Sequence, residues 1–186
     1  VTSLSVPCPL EDEDLPARMG EQAAVAADLD AAYMFTSAKA EGMSLDEAGA
    51  HLRMLGDAVG AYEVFLALET HPELCTNAER MTQTMAATDH HWVGVNYDTA
   101  NVYYYNEGID TVDQLHHCVS YVRGVHLKDT GGGFHDFDFP VFGEGIVDFA
   151  AVYEVLGHAG YTGACCMELE GPAFQRDQPD DLADKV

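Results

Sequence analysis

The chain reads as an α/β protein built on a parallel sheet, and three observations predict it. Short apolar runs recur along the sequence, among them FLALE, VGVNYD, VRGVH and GACCME, and a loop and a helical pattern follow each one. These four runs end in Glu69, Asp98, His126 and Glu168, so four polar groups occupy equivalent strand ends. Positions 69, 98 and 126 lie about 30 residues apart, the length of one strand plus its crossover helix. Parallel strands of this kind open all their C-termini on one face, which would gather the four groups there.

Taken in order, a strand at 1–6 (VTSLSV) leads into a loop with Pro7 and Pro9 and then an alanine-rich helix near 15–28. AAYMFTS at 31–37 is the second strand. A helix from Ser44 to Gly60 follows, opened by a capping box in which Ser44 and Glu47 satisfy each other's backbone N–H groups. The pattern continues with a strand at 64–69, a helix near 74–88, a strand at 93–98, a helix near 110–120 and a strand at 121–127. A helix near 148–158 and a strand at 163–168 complete six strands and five helices. The wider interval between His126 and Glu168 comes from the stretch 129–147, DTGGGFHDFDFPVFGEGIV, too polar and glycine-rich for a helix. Its position on the strand-end side predicts a lid or substrate-binding loop, with GGG at 131–133 as a flexible hinge. No helix start or Lys-Ser/Thr follows those glycines, so they do not make a phosphate loop.

Strand alternation sharpens the expectation. If the four end residues point inward, so do Ala67, Gly94, Asn96, Gly124, Ala164 and Cys166, mostly small groups that leave room beneath a bound ion. Val95, Val125, Leu127 and Met167 then face outward to pack on helices. Three carboxylates with one imidazole suit a divalent cation. Taken alone, His126 would be a core histidine, and Asp98 and Asn101 in DTAN would be turn and capping residues. Four such ends in succession favour a ligand set. Tyr103, Tyr104 and Tyr105 are expected to pack under the next helix, and the doublets His90–His91 and His116–His117 to lie on the surface. His135, on the long loop, is a candidate substrate contact.

The formal net charge is −24, from 32 acidic residues against 8 Lys plus Arg, and the carboxylates are spread along the chain. Such a surface repels nucleic-acid phosphates and suggests adaptation to high salt, where screening suppresses self-repulsion. No run is long enough for a membrane span and no signal peptide is evident, so membrane association is not expected. Five cysteines without CxxC spacing fit reduced thiols in a cytoplasm. The 186 residues are expected to form one domain, 1–186.

LALETH, VNYDTAN, VHLKD and GEGIVDFAAVYEVLGHAGYTGACCMELE together resemble the sugar phosphate isomerase/epimerase superfamily, the xylose isomerase-like TIM barrels, over residues 64–170. The resemblance implies a TIM-type (β/α) barrel. With about six of eight βα units present, the N-terminal units are missing, and the chain, which starts at Val1, is expected to be a fragment, a cleaved product or an incomplete reading frame. It implies metal ligands Glu69, Asp98, His126 and Glu168, with Glu170 as a competitor for the last place. The ion is expected to be Mn²⁺ first, then Mg²⁺, Co²⁺ or Zn²⁺. Glu69 and Glu168 would be the catalytic proton carriers in an isomerase or epimerase working through a metal-stabilised enediolate on a small polyhydroxylated carbonyl substrate. His71, Asn101, Lys128 and His135 would bind substrate. Thr70 stands where relatives often have Asn. An inosose- or dehydroshikimate-type dehydratase would use the same site. The acidic surface argues against the related abasic-site endonucleases. A non-catalytic barrel completed by a partner is the remaining reading, and open edges would be covered by a homo-oligomer.

Overall fold

Apolar runs bounded by polar turns become strands here because burying both faces of a parallel sheet needs continuous hydrophobic segments. The computed structural model describes residues 1–172 and Phe174. The six strands are β1 (Ser3–Ser5), β2 (Tyr33–Thr36), β3 (Phe65–Glu69), β4 (Val93–Asp98), β5 (Val122–Leu127) and β6 (Cys165–Met167). They pair in chain order, every neighbour parallel. Among the described residues β6 does not pair with β1, so the barrel is incomplete, as expected. Just before β1, Thr2 Oγ1 nonetheless lies 3.4 Å from Cys166 Sγ on β6, in an exposed contact.

The helices α1 (Leu15–Asp28), α2 (Leu45–Gly60), α3 (Ala78–Thr88), α5 (Thr111–Cys118) and α6 (Phe149–His158) follow the expected order. On α1 the buried residues Leu15, Met19, Ala23 and Ala26 form one helical stripe. The capping box of α2 is present: Ser44 N donates to Glu47 Oε2 at 2.8 Å and Glu47 N to Ser44 Oγ at 3.3 Å. The α3 helix starts later than the apolar pattern suggests. Asn77 caps it by accepting from Arg80 N at 3.0 Å, while Leu74 and Cys75 are buried from the preceding loop. A short helix, α4 (Asn101–Tyr105), was not expected. Asp98 Oδ1 starts it by accepting from Ala100 N and Asn101 N, both at 2.8 Å.

Val95, Val125 and Leu127 are buried between sheet and helices, but Met167 is 54% exposed, because no described helix covers β6. The expected free space beneath the strand ends is also absent. The side chains of Tyr33 and Asn96, both buried, fill it, and a Cβ on Gly124 would overlap both. Gly124 is therefore small to admit a neighbour's ring, not to leave a void. None of the described helices is long and apolar enough to cross a membrane.

Candidate metal centre and cleft

The strand register brings the four end residues together in two steps. Asp98 on β4 stands beside His126 on β5, and His126 beside Cys166, so Glu168 emerges one layer above β6. The main-chain N–H of Glu168 donates to Leu127 O at 2.9 Å, continuing the ladder. Glu69 stands beside Asn96, whose Nδ2 donates to Glu69 Oε2 at 2.5 Å. The remaining oxygen, Oε1, lies 3.1 Å from His126 Nδ1, and Glu168 Oε2 lies 3.3 Å from the same nitrogen. One ligand atom from each of Glu69, Asp98, His126 and Glu168 falls within 4.8 Å of the others. The imidazole is set edge-on against Phe35, centroids 4.6 Å apart.

Glu69, Asp98 and His126 are buried, and Glu168 is partly so. Glu69 Oε1, Asp98 Oδ2, His126 Nδ1 and Glu168 Oε2 are all shielded from solvent and none makes a well-aligned hydrogen bond to another of the four, while Lys128 Nζ is ion-paired with Asp98 Oδ2 and Glu168 Oε2. Buried polar atoms that converge without bonding one another are the pattern a cation satisfies. Three hard carboxylates and one imidazole fit Mn²⁺, Mg²⁺ or Co²⁺, with Zn²⁺ also compatible.

The charge balance explains the titration of the group. Burial alone would lower the pKa of His126, but Glu168 and Glu69 overcome it and push the imidazole up to about 10. Burial raises Asp98, with Glu168 and Glu69 adding to the effect and Lys128 opposing it. Glu168 is held well below the usual carboxylate range: burial opposes this, but His126, Asp98 and Lys128 prevail.

Lys128 lines the cleft, where a substrate contact is expected, and its ammonium is at the same time held by acidic neighbours. Its Nζ lies 2.9 Å from Glu168 Oε2 and 3.2 Å from Asp98 Oδ2, and donates to Glu170 Oε2 at 3.1 Å and Asn101 Oδ1 at 3.3 Å. It is buried, with Phe139 beneath it at 4.8 Å. Burial would lower its pKa, but Asp98, Glu168 and Glu170 keep it raised. Glu170 thus bonds to the lysine and stays outside the cluster of four. Thr70 has a definite task, its Oγ1 accepting from Asp98 N at 3.0 Å while Asn101 Nδ2 donates to its carbonyl at 3.1 Å.

Above the cluster opens a cleft of about 280 Å³, room for one small molecule. His71, Asn101, Lys128 and Glu170 contribute its polar wall, and Phe35, Tyr104, Tyr105, Phe137 and Phe139 its aromatic wall. His71 packs on Tyr105 at 4.9 Å, and burial, aided by Lys39, lowers its pKa. The three tyrosines divide: Tyr103 is buried and its hydroxyl donates to Asp110 Oδ2 at 3.0 Å, whereas the other two face the cleft. His135 lies outside the lining. It is exposed, stacked on Phe134 at 4.0 Å. Asn96 carried no sequence signal beyond strand parity, and Thr36, which also lines the cleft, carried none.

Residues 8–185 match the family model of the xylose isomerase-like TIM barrel. Among curated proteins, the inosose dehydratase of Bacillus licheniformis is 31% identical over 137 residues, covering 64% of this chain and 44% of that protein. The L-ribulose-5-phosphate 3-epimerase UlaE of Escherichia coli is 37% identical over 60 residues, 32% of this chain and 20% of that protein. The chain thus spans less than half the length of these relatives. Among solved structures, the probable 3-DHS dehydratase AsbF of Bacillus anthracis superposes with a TM-score of 0.77 at 18% identity, covering 100% of this chain and 74% of that one.

Proposed function

The chain belongs to the xylose isomerase-like TIM barrel family, and on that premise we propose that it is a divalent-metal-dependent isomerase or epimerase of a small polyhydroxylated carbonyl compound. One observation carries the reading. Four buried ligand atoms on four successive strand ends converge without bonding one another, at the base of a cleft sized for one sugar or cyclitol. A bound ion would supply Lewis-acid polarisation of the substrate carbonyl, which acidifies the neighbouring C–H.

The protein's own groups then move the proton. Glu69 and Glu168 both line the cleft and lie 3.1 Å and 3.3 Å from His126 Nδ1, which supports them as the two proton carriers. One takes the proton from the carbon next to the carbonyl, giving an enediolate, and the other returns a proton to the opposite face. Asn96 fixes the orientation of Glu69, and Lys128 that of Glu168. The aromatic wall excludes water while the proton is held.

Dehydration is the second reading. Inosose dehydratase aligns over 137 residues, against 60 for the epimerase. With a hydroxyl β to the carbonyl, the same proton removal is completed by loss of that hydroxyl as water.

The test is to incubate the Mn²⁺-loaded protein in D₂O with a panel of ketoses, inososes and dehydroshikimate. Deuterium should enter at the carbon next to the carbonyl, and Glu168→Gln should abolish the uptake while retaining the fold. An ultraviolet-absorbing unsaturated product would select the dehydratase. A metal-loaded protein that neither exchanges carbon-bound hydrogen nor forms an unsaturated product with any compound would overturn both readings.

A further inference from the structure

We propose that Asp129 is a positioning residue that preforms the substrate wall of the cleft, by fixing the loop 130–147 through four main-chain hydrogen bonds. The substrate part of this inference rests on the function proposed above. Asp129 directly follows Lys128 and is 1% exposed. Its Oδ1 accepts from Thr130 N at 2.9 Å and Val147 N at 3.2 Å. Its Oδ2 accepts from Gly143 N at 2.8 Å and Gly145 N at 2.9 Å. Among the described residues this carboxylate has no ion pair, so its bonding capacity goes entirely to the loop backbone. Charge-assisted bonds of this type are stronger than neutral ones, and four of them close both ends of the loop onto one group.

Surrounding contacts carry the constraint to the cleft. Gly145 has no space for a side chain, because a Cβ there would overlap the Asp129 carboxylate. Ile146 N donates to Thr130 O at 2.9 Å and Gly131 N to Asp138 O at 3.1 Å, so the loop returns on itself. The turn passes through Gly132 at φ +85°, and His135 N donates to Tyr104 O at 2.9 Å, tying the tip to α4. The sequence suggested a free hinge at 131–133, but the loop is fastened at its base and at its tip. Phe139 follows directly from the return and is 2% exposed, its ring 4.8 Å from Lys128 Nζ. Phe137 packs on it at 5.0 Å and lines the mouth. The metal ligands Glu69, Asp98 and His126 are held by their own strands, independently of this loop. Loosening the clasp should therefore weaken the grip on substrate and leave the cation site intact.

The experiment compares wild type with Asp129→Asn, which keeps the size of the side chain but turns an amide NH₂ toward one pair of N–H donors. Gly145→Ala approaches the same clasp from the other side. Three quantities are measured on the full chain: amide hydrogen exchange across 130–147, Mn²⁺ affinity, and calorimetric affinity of the Mn²⁺-loaded protein for an acyclic polyol without a carbonyl. Both variants should raise exchange at residues 143–147 about tenfold, leave Mn²⁺ affinity within about twofold, and weaken polyol binding about tenfold. Where turnover is measurable, KM should rise about tenfold with little change in kcat. Unchanged loop exchange overturns the proposal, as does raised exchange with unchanged polyol affinity, a parallel loss of Mn²⁺ binding, or a wild type that binds no polyol. A wild type that binds polyol but turns over no carbonyl compound overturns the isomerase reading alone.

Discussion

Asn96 Nδ2 donates to Glu69 Oε2, and this single bond decides that the other oxygen, Oε1, faces His126 Nδ1 at 3.1 Å. Asn96 is fully buried and stands beside Glu69 in the strand register. It supports the candidate metal centre without joining the cluster of four. Outer partners of this kind fix ligand orientation.

Asn96→Ala is expected to lower Mn²⁺ affinity by about 10- to 100-fold. It should also destabilise the fold by about 1–3 kcal/mol, because Glu69 Oε2 loses its only donor among the described residues. A Mn²⁺ titration followed by electron paramagnetic resonance gives the first figure and chemical denaturation the second. Unchanged affinity would show that Glu69 orients itself.

Metal binding should stabilise the protein, since a cation relieves three carboxylates crowded around one point. At a free Mn²⁺ concentration about 100 times Kd the gain should be about 2.7 kcal/mol, and a chelator should reverse it. Asp98→Asn removes the charge at Oδ2 but keeps an acceptor for the N–H groups of Ala100 and Asn101. This variant should fold with α4 intact and show almost no response to Mn²⁺ in a thermal shift assay. A normal response would place the ion elsewhere.

The converging strand ends were legible in the sequence because their signal is local. A polar residue closing an apolar run is visible without knowing what lies beside it. What was hidden depended on pairs distant in sequence. Lys128 read as a substrate contact, yet its Nζ is held by Asp98, Asn101, Glu168 and Glu170, whose approach only the curvature of the sheet creates. For Asp98 the two competing readings are compatible, since one oxygen caps a helix and the other joins the cluster. The α4 helix, five residues long, is too short to show a period. Met167 matched its parity but not its burial, since parity gives a direction and not a neighbour.

Alkaline pH should weaken the fold through its buried thiols. Burial, followed by the nearby charge of Glu11, pushes Cys8 up from 9.0 to about 12, and burial does the same to Cys118. A pKa raised in the folded state means that the unfolded chain ionises first. The stability is therefore whole below about pH 9 and declines as pH climbs toward about 12. Denaturation midpoints measured from pH 8 to 11 should fall, less steeply in Cys118→Ala, and a slope unaffected by that substitution would assign the decline to other groups.

The net charge of −24 predicts that salt stabilises the fold. Raising KCl from about 0.1 M to molar concentrations shortens the Debye length from about 10 Å to 3 Å and should raise the melting temperature. A flat response would remove the halophilic reading.

Tyr33 and Asn96, wedged against Gly124, put a floor directly under the cluster. A guest held in the cleft would rest on that floor, and the tyrosine ring leaves little volume beneath it in which solvent could collect.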